Sequence, residues 1–577
     1  MIGIPMKNLT NQLQEQASNL IKELFPETDS MADITRSTNP QFGHYQCNSA
    51  MKLAKALESN PQKIAQQILE KWPKDGMIEK LEVAGPGFIN ITLSSEFLSK
   101  QVTELAADPR LGAAPLEEKK KVIVEFSSPN VAKELHVGHL RSTIIGESLA
   151  RLFEFLGHDV LRLNHIGDWG TQFGMLITYL KEKEPDVLTR KKEANLSSLM
   201  SWYKESKKVF DADPEFKKRS QTQVVRLQGG EQEALDAWKK ICEISRRGFL
   251  EIYKFLDIDI TERGESVYNE SLPKIVEEYE KLGIVEISDG AKCVFLEGYE
   301  IPMILQKSDG GFNYASTDTA ALAQRVREEN ADRIIYVVDA GQQLHFQMVF
   351  KAAVKAGIYD PEKVQVDHVP FGVVLGADGK KFKTRSGETE KLMDLLSEAV
   401  RQARMLMQER LQDGTEKEID KLAHVLGVDA VKYADLSCHR IKDYIFSYDR
   451  MLKFEGNTAA YLLYSYVRIQ GIKRRCNKDI HALYATTPII LKHPTEVMLG
   501  LRLRQFGETL VHMDRDLLPN RLSDYLYDLA EKFHAFFRDC RVEGVPEESS
   551  RLVLCELTAC ILKQGFQILG LKTMDRM

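Results

Sequence analysis

The sequence predicts a doubly wound parallel-sheet α/β unit with a helical insertion, preceded by a small α+β domain and followed by an all-α bundle. Three observations carry this. A buried-strand signal, KVIVEF (121–126), is followed by helical spacing from Gly138 to Leu156 and then by HDVLRL (158–163). Strand, long helix and strand in about forty residues make a βαβ crossover, which requires parallel strands. Strand signals return at RIIYVVDA (333–340) and VQVDHVPFGVVLG (364–376), then stop from about residue 390.

The elements follow in order. Leu9, Leu13, Ala17, Leu20, Leu24 and Phe25 recur at helical spacing. LEVA and FINITL flank the Gly85-Pro86-Gly87 breaker and predict a strand pair. Ser94 or Ser95 is placed to cap a helix through Phe97, Val102 and Leu105. Residues 107–121, rich in turn formers and charge, read as a linker. Residues 182–300 are charged and largely helical, and read as an insertion into the sheet. Helical patterns then occupy 390–411, 417–437, 457–475, 493–516, 520–538 and 551–570.

Length and charge narrow the function. A chain of 577 residues holds several domains. Its net charge of −6 excludes a globally basic nucleic-acid coat, but leaves room for a local basic groove. No apolar run is long enough to span a bilayer, and MIGIPMKNLTNQLQEQ turns polar after its first few residues, unlike a secretory signal. The eight cysteines are scattered with no CxxC pair, which predicts idle thiols in a reducing cytosol.

The chemistry concentrates where predicted strands end. His136-Val-Gly138-His139 lies at a helix start after the first strand, where N–H groups and the dipole favour an anion. Two imidazoles three apart at the first turn are able to face one phosphate, and Gly138 leaves space for a flat ring beside the backbone. Lys133 stands just upstream. No HExxH or nearby cysteine supports a zinc site, and neither a P-loop nor a GxGxxG is present. A second loop, Asn164-His165-Ile-Gly167-Asp168-Trp169-Gly170, emerges at the same sheet edge; by composition His165 and Asp168 fit a structural role as well as a catalytic one. A third, from Gly376 to Gly387, carries Lys380, Lys381, Lys383 and Arg385 among glycines, a cationic flap suited to a triphosphate.

With these strings on the page, the chain resembles the class I aminoacyl-tRNA synthetases, and within them the arginyl-tRNA synthetase family. HVGH is similar to the class motif, and SPNVAKELHVGHLRSTIIGESL, NHIGDWGTQFGMLI, KYADLS (432–437), EGNTAAYLLYSYVRI (455–469) and the terminal LGLKTMDRM narrow it to the arginine branch. The resemblance implies ATP-dependent activation of arginine with tRNA bound, then transfer to the 3′ end of tRNA(Arg), with Mg²⁺ accompanying ATP and no tightly bound metal or organic cofactor. It implies a Rossmann-like class I catalytic domain at 118–390, with the insertion around 182–300. A tRNA-elbow-binding α+β domain at 1–110, a helical stem-contact region at 391–450 and an anticodon-binding bundle at 451–577 complete it. A cytoplasmic monomer, with no membrane or DNA partner, is the family expectation.

The same resemblance assigns residues. His136, Gly138, His139 and Lys133 take catalytic roles, and Val374, Leu375, Lys383 and Arg385 join the first three at ATP. Asn130 and Gln342 hold the α-amino end of arginine, while Glu265, Tyr314 and Asp318 take the guanidinium. That set suits a planar cation with five donors, which calls for carboxylates in its plane. The KMSKS motif is represented only by Phe382-Lys383-Thr384-Arg385-Ser386, with Arg385 in the second lysine's place, and in this branch Lys133 is thought to stand in for it. Phe42, Tyr45, Phe537 and Met577 are the implied tRNA contacts, although Phe42 and Tyr45 fit a core equally well.

Overall fold

The computed structural model describes residues 7–28, 31–37, 39–376, 378–380, 390–476 and 478–577. The N-terminal helix, Leu9–Leu24, buries Leu9, Leu13, Ala17, Leu20 and Ile21 along one stripe. It packs on an antiparallel sheet ordered Ile34–Arg36, Tyr45–Cys47, Phe88–Leu93, Ile78–Ala84. Ser94 caps the helix Ser95–Ala106 by accepting the Phe97 N–H. This domain docks on the C-terminal bundle around Glu508, which accepts from the Thr10 N–H and hydroxyl and pairs with Arg36 at 2.7 Å. Tyr45 is fully buried there, and Gln505 Nε2 donates to its hydroxyl. Its ring belongs to the core and offers no face to a base, whereas Phe42 is 47% exposed.

The central sheet is parallel throughout, ordered Gln365–His368, Arg333–Tyr336, Lys121–Glu125, Asp159–Ile166, Thr261–Gly264. The chain winds outward in one direction from Lys121–Glu125, then returns to its other side at Arg333–Tyr336. The crevice between these two strands is the topological switch point, where open α/β sheets place ligands. The crossover helix, Val137–Leu156, starts at its mouth.

Two expectations need correction. The insertion does not run unbroken over 182–300: after the helix Gln232–Phe255 the chain forms Thr261–Gly264, the edge strand of the main sheet, and only then the helix Leu272–Lys281. That strand reads Thr-Glu-Arg-Gly, with no apolar side chain to betray it; the pairing of Leu163 to Thr261 and Ile166 to Gly264 fixes its place. A small antiparallel sheet, Glu286–Ser288, Ala291–Val294 and Met303–Gln306, follows. Second, VQVDHVPFGVVLG is two strands. Only Gln365–His368 joins the main sheet; Pro370, which has no N–H to offer a ladder, follows it. Val374–Leu375 pairs instead with Tyr444–Ile445.

The tail forms Leu392–Arg410, Glu416–Leu436, Ala459–Cys476, Asn520–Asp539 and Glu548–Ile568 as expected, while the predicted helix over 493–516 breaks at Gln505 into Pro494–Arg504 and Phe506–Asp516. A short helix, Ile480–Thr486, was not foreseen. No helix among the described residues is long and apolar enough to cross a membrane.

KYADLS and the C-terminal string meet at the junction of tail and sheet. Lys432, buried, donates to the carbonyls of Leu256 and Gly570, and the Lys572 N–H donates to Asp429. Arg141, on the crossover helix and wholly buried, pairs with Asp435 at 2.9 Å, donates to the Lys442 carbonyl, and lies over the rings of Tyr444 and Phe371. Removing one partner of such a pair strands the other charge, typically at about 3–5 kcal/mol. Asp435→Ala is therefore expected to lower the thermal midpoint by several degrees; an unchanged midpoint would show that Arg141 finds another acceptor.

Candidate active site

The two histidines close the first turn of the crossover helix. His136 is its N-cap residue, and its Nδ1 accepts the Gly138 N–H at 3.1 Å. His139 Nδ1 in turn accepts the His136 N–H at 3.1 Å, so each satisfies a backbone donor that the helix cannot. The rings lie 4.1 Å apart. Gly138 serves His136 itself: a Cβ there would come within 2.9 Å of that imidazole's Cε1, so the flat ring beside the backbone is the protein's own. Burial and then the charges of His136 and Lys133 push His139 down to about 3, and burial, followed by Lys133, lowers His136. Near neutral pH both rings are uncharged. Their Nδ1 atoms accept, so their protons sit on Nε2, and each offers one neutral N–H donor.

The loop feeding this turn is tightly bent. Ser127, Ser128 and Ala132 have φ of 72°, 46° and 62°, a left-handed region that costs non-glycine residues roughly 1–3 kcal/mol each. Buried hydrogen bonds hold it. The Ser127 N–H donates to Ser142 Oγ, the Ser128 N–H to Asn164 Oδ1, and the Ser127 and Tyr253 hydroxyls lie 2.7 Å apart. Sequence reasoning missed this support, because nothing local marks Tyr253, far along the insertion, as a partner of Ser127.

The residues expected to take the guanidinium lie near one another. Tyr314 and Asp318 lie one turn apart at the start of Tyr314–Arg327, and Glu265 opens a 3-10 turn, Glu265–Tyr268, after the edge strand. They sense one another. Burial first, then the charges of Asp318, Asp168 and Glu125, raise Glu265 to about 8, and burial, then Glu265 and Asp318, raises the Tyr314 phenol. His345 Nε2 lies 2.6 Å from Asp318 Oδ2. It stands three residues beyond Gln342, which caps Gln343–Lys355 after the fourth strand, on the far lip of the crevice from Asn130. His165 and Asp168 are both buried: His165 stacks on Tyr268 beside the buried Arg325–Glu125 pair, and Asp168 accepts from Ser266.

Val374 and Leu375 end on the small two-strand ladder, and Lys383 and Arg385 lie outside the described residues. The flap's returning end is pinned to the histidine loop: Lys391 bridges His136, the Leu392 N–H donates to the Leu135 carbonyl, and Lys391 Nζ pairs with Glu134 at 2.8 Å. Lys133 is exposed beside this junction. In the bundle, Phe533 and Phe536 are buried, while Phe537 is half-buried with Arg468 over its ring. Met577 packs partly buried on the same core, with Arg576 beside it tied to Asp413. In the basic stretches 119–121 and 473–475, Lys121 pairs with Asp159, Lys473 with Glu556 and Arg475 with Glu543.

The family models agree with this architecture. One described as tRNA synthetases class I (R), catalytic domain, matches residues 101–448; an arginyl tRNA synthetase N terminal domain matches 8–93; and a DALR anticodon binding domain matches 462–577. An arginine–tRNA ligase of Protochlamydia amoebophila is 57% identical, covering 99% of both chains. The chain belongs to the arginyl-tRNA synthetase family. An arginine–tRNA ligase of a Picosynechococcus strain is 49% identical over 99% of this chain and all of its own. The arginyl-tRNA synthetase of Plasmodium falciparum superposes with a TM-score of 0.89 at 34% identity, each chain fully covered. That of Thermus thermophilus, 23% identical with 99% and 100% of the chains covered, shares the fold at 0.79.

Two measurements follow for this family member. Asparagine at position 136 retains an N-cap acceptor and loses the Nε2–H. His136→Asn is therefore expected to leave the thermal midpoint within a degree or two and to lower turnover by about 10²–10³; a stable variant of undiminished turnover would remove His136 from the chemistry. Glu265 must ionise to pair with a guanidinium, so arginine affinity should rise with pH up to about 8 and then level. Calorimetry at pH 7 should register proton release that Glu265→Gln abolishes.

Proposed function

We propose that this chain is an arginine–tRNA ligase working at the switch-point crevice. Two neutral imidazole donors, aligned by the helix they cap, stand on one wall, and mutually repelling acids suited to a guanidinium stand beyond the other loop. Asn130 and Gln342, on the two lips, are the residues for the α-amino end of arginine; Glu265, Asp318 and Tyr314 are those for its guanidinium. The arginine carboxylate oxygen attacks the α-phosphorus of ATP, the bond to the β-phosphate bridge breaks, and pyrophosphate leaves with its electron pair. His136 and His139 donate from Nε2 to phosphate oxygens as charge builds on them. Lys133, with Lys383 and Arg385 of the flap, is the cation set for the departing pyrophosphate; the backbone of Val374 and Leu375 borders the nucleotide. Mg²⁺ enters with ATP.

In the second half-reaction a hydroxyl of the terminal tRNA ribose attacks the activated carbonyl, AMP leaves, and arginine stays esterified to tRNA(Arg). Phe42, Phe537 and Met577 are the tRNA contacts of this reading; Tyr45, fully buried, is not among them. A reducing cytoplasm and a monomer complete the proposal, in keeping with eight unpaired cysteines.

The single observation that carries it is the histidine capping box at the mouth of the crevice. Arginine-dependent ATP–pyrophosphate exchange should appear with tRNA(Arg) present and be near background without it. Exchange stimulated by another amino acid, or by none, would overturn the assignment.

A further inference from the structure

The loop after the second strand touches both halves of the proposed amino-acid pocket. Gly167 forms a bridge with Asn130, accepts the Val131 N–H and donates to the Pro129 carbonyl. A Cβ on Gly167 would stand 2.2 Å from Asn130 Oδ1, so that amide is seated in the space the glycine leaves. The next residue, Asp168, is 6% exposed and accepts two hydrogen bonds from Ser266, from its N–H at 2.8 Å and its hydroxyl at 2.7 Å. These clamp the start of the turn on which Glu265 sits. Gly264, just before it, would put a Cβ 2.0 Å from Asp168 Oδ2, so the turn closes on the carboxylate only because nothing is there. Trp238, from the insertion, donates to the Asp168 carbonyl at 2.7 Å and fixes the loop from behind.

We infer that Gly167-Asp168 is a rigid strut that sets the distance between Asn130 and Glu265, and thereby selects an amino acid whose guanidinium stands on a three-methylene stem. This rests on the proposed roles of Asn130 and Glu265. Asp168 touches no reacting atom in this scheme; it is a positioning residue, acting through Ser266 on Glu265. A carboxylate at this point is costly, since burial raises its pKa, and the two Ser266 bonds oppose that shift. An acid kept in an apolar loop at such cost, with a glycine cleared on each side, is explained by the alignment it enforces. A pocket held at both ends by one dipeptide is unable to lengthen at one end alone. Substrates one methylene longer or shorter therefore misplace either the α-amino group or the guanidinium.

The test is tRNA-dependent pyrophosphate exchange with arginine, homoarginine and 2-amino-4-guanidinobutanoate on the full chain and on Ser266→Ala, Asp168→Asn, the double variant and Glu265→Gln. Ser266→Ala, which removes a half-buried hydroxyl, guards against an Asp168 variant that fails to fold. Expected for Ser266→Ala and Asp168→Asn are an arginine KM raised about tenfold, kcat within threefold, an unchanged KM for ATP, and a homoarginine-to-arginine ratio of kcat/KM raised at least fivefold. The double variant should be no worse than Asp168→Asn, because both act on one link. Unchanged ratios among the three amino acids, with Glu265→Gln still losing arginine, would overturn the strut and leave the pocket standing. If Glu265→Gln binds arginine normally, the pocket assignment fails and the strut with it.

Discussion

The structure turns on one constraint: the crossover helix must begin at the switch point with its first N–H groups satisfied, and the residues that satisfy them are the two histidines. A serine or aspartate would cap as well. An imidazole does something more, because using Nδ1 as the acceptor commits its proton to Nε2. The same hydrogen bonds that finish the helix therefore fix the tautomer and orientation of both imidazoles, the groups proposed to meet phosphate. Burial keeps the rings neutral, so they act as donors without bringing a cation that would hold pyrophosphate back.

Charge is handled differently in the two halves of the crevice. The side proposed for phosphate pairs neutral imidazole donors with the exposed Lys133 just upstream. On the side proposed for arginine, burial and then the neighbouring acids raise Glu265 to about 8, a shift that a bound guanidinium would oppose. In the proposed pocket a permanent, planar cation is favoured over a neutral isostere, since only the cation draws Glu265 into its ionised form.

Fixing that crevice falls to contacts distant in sequence. Arg141 joins the catalytic helix to the tail through Asp435, and Glu508 joins the tail to the N-terminal domain through Thr10 and Arg36. The bundle thereby braces both the helix that carries the histidines and the domain that carries Phe42. KYADLS and the C-terminal LGLKTMDRM, conspicuous strings with no catalytic chemistry, make sense as this brace, because Lys432 and Asp435 are both spent there.

The sequence by itself determined the crossover, the helical tail, the histidine pair at a helix start, and, through family strings, the residues assigned to arginine. These signals are local: strand and helix periods, a cap position, a motif of contiguous residues. What only the tertiary structure decided was long-range. The edge strand Thr261–Gly264 has no apolar alternation and exists because Asp159–Ile166 offers it a ladder. For Tyr45 the sequence left stacking platform and core equally open, and the structure makes it core, where Gln505, far along the chain, meets its hydroxyl. Gly138 proved to serve His136, and Asp168 proved to hold Ser266, through distances that no spacing in the chain encodes. A one-dimensional pattern specifies which face a side chain takes; which partner waits there is settled by how elements dozens or hundreds of residues apart pack together.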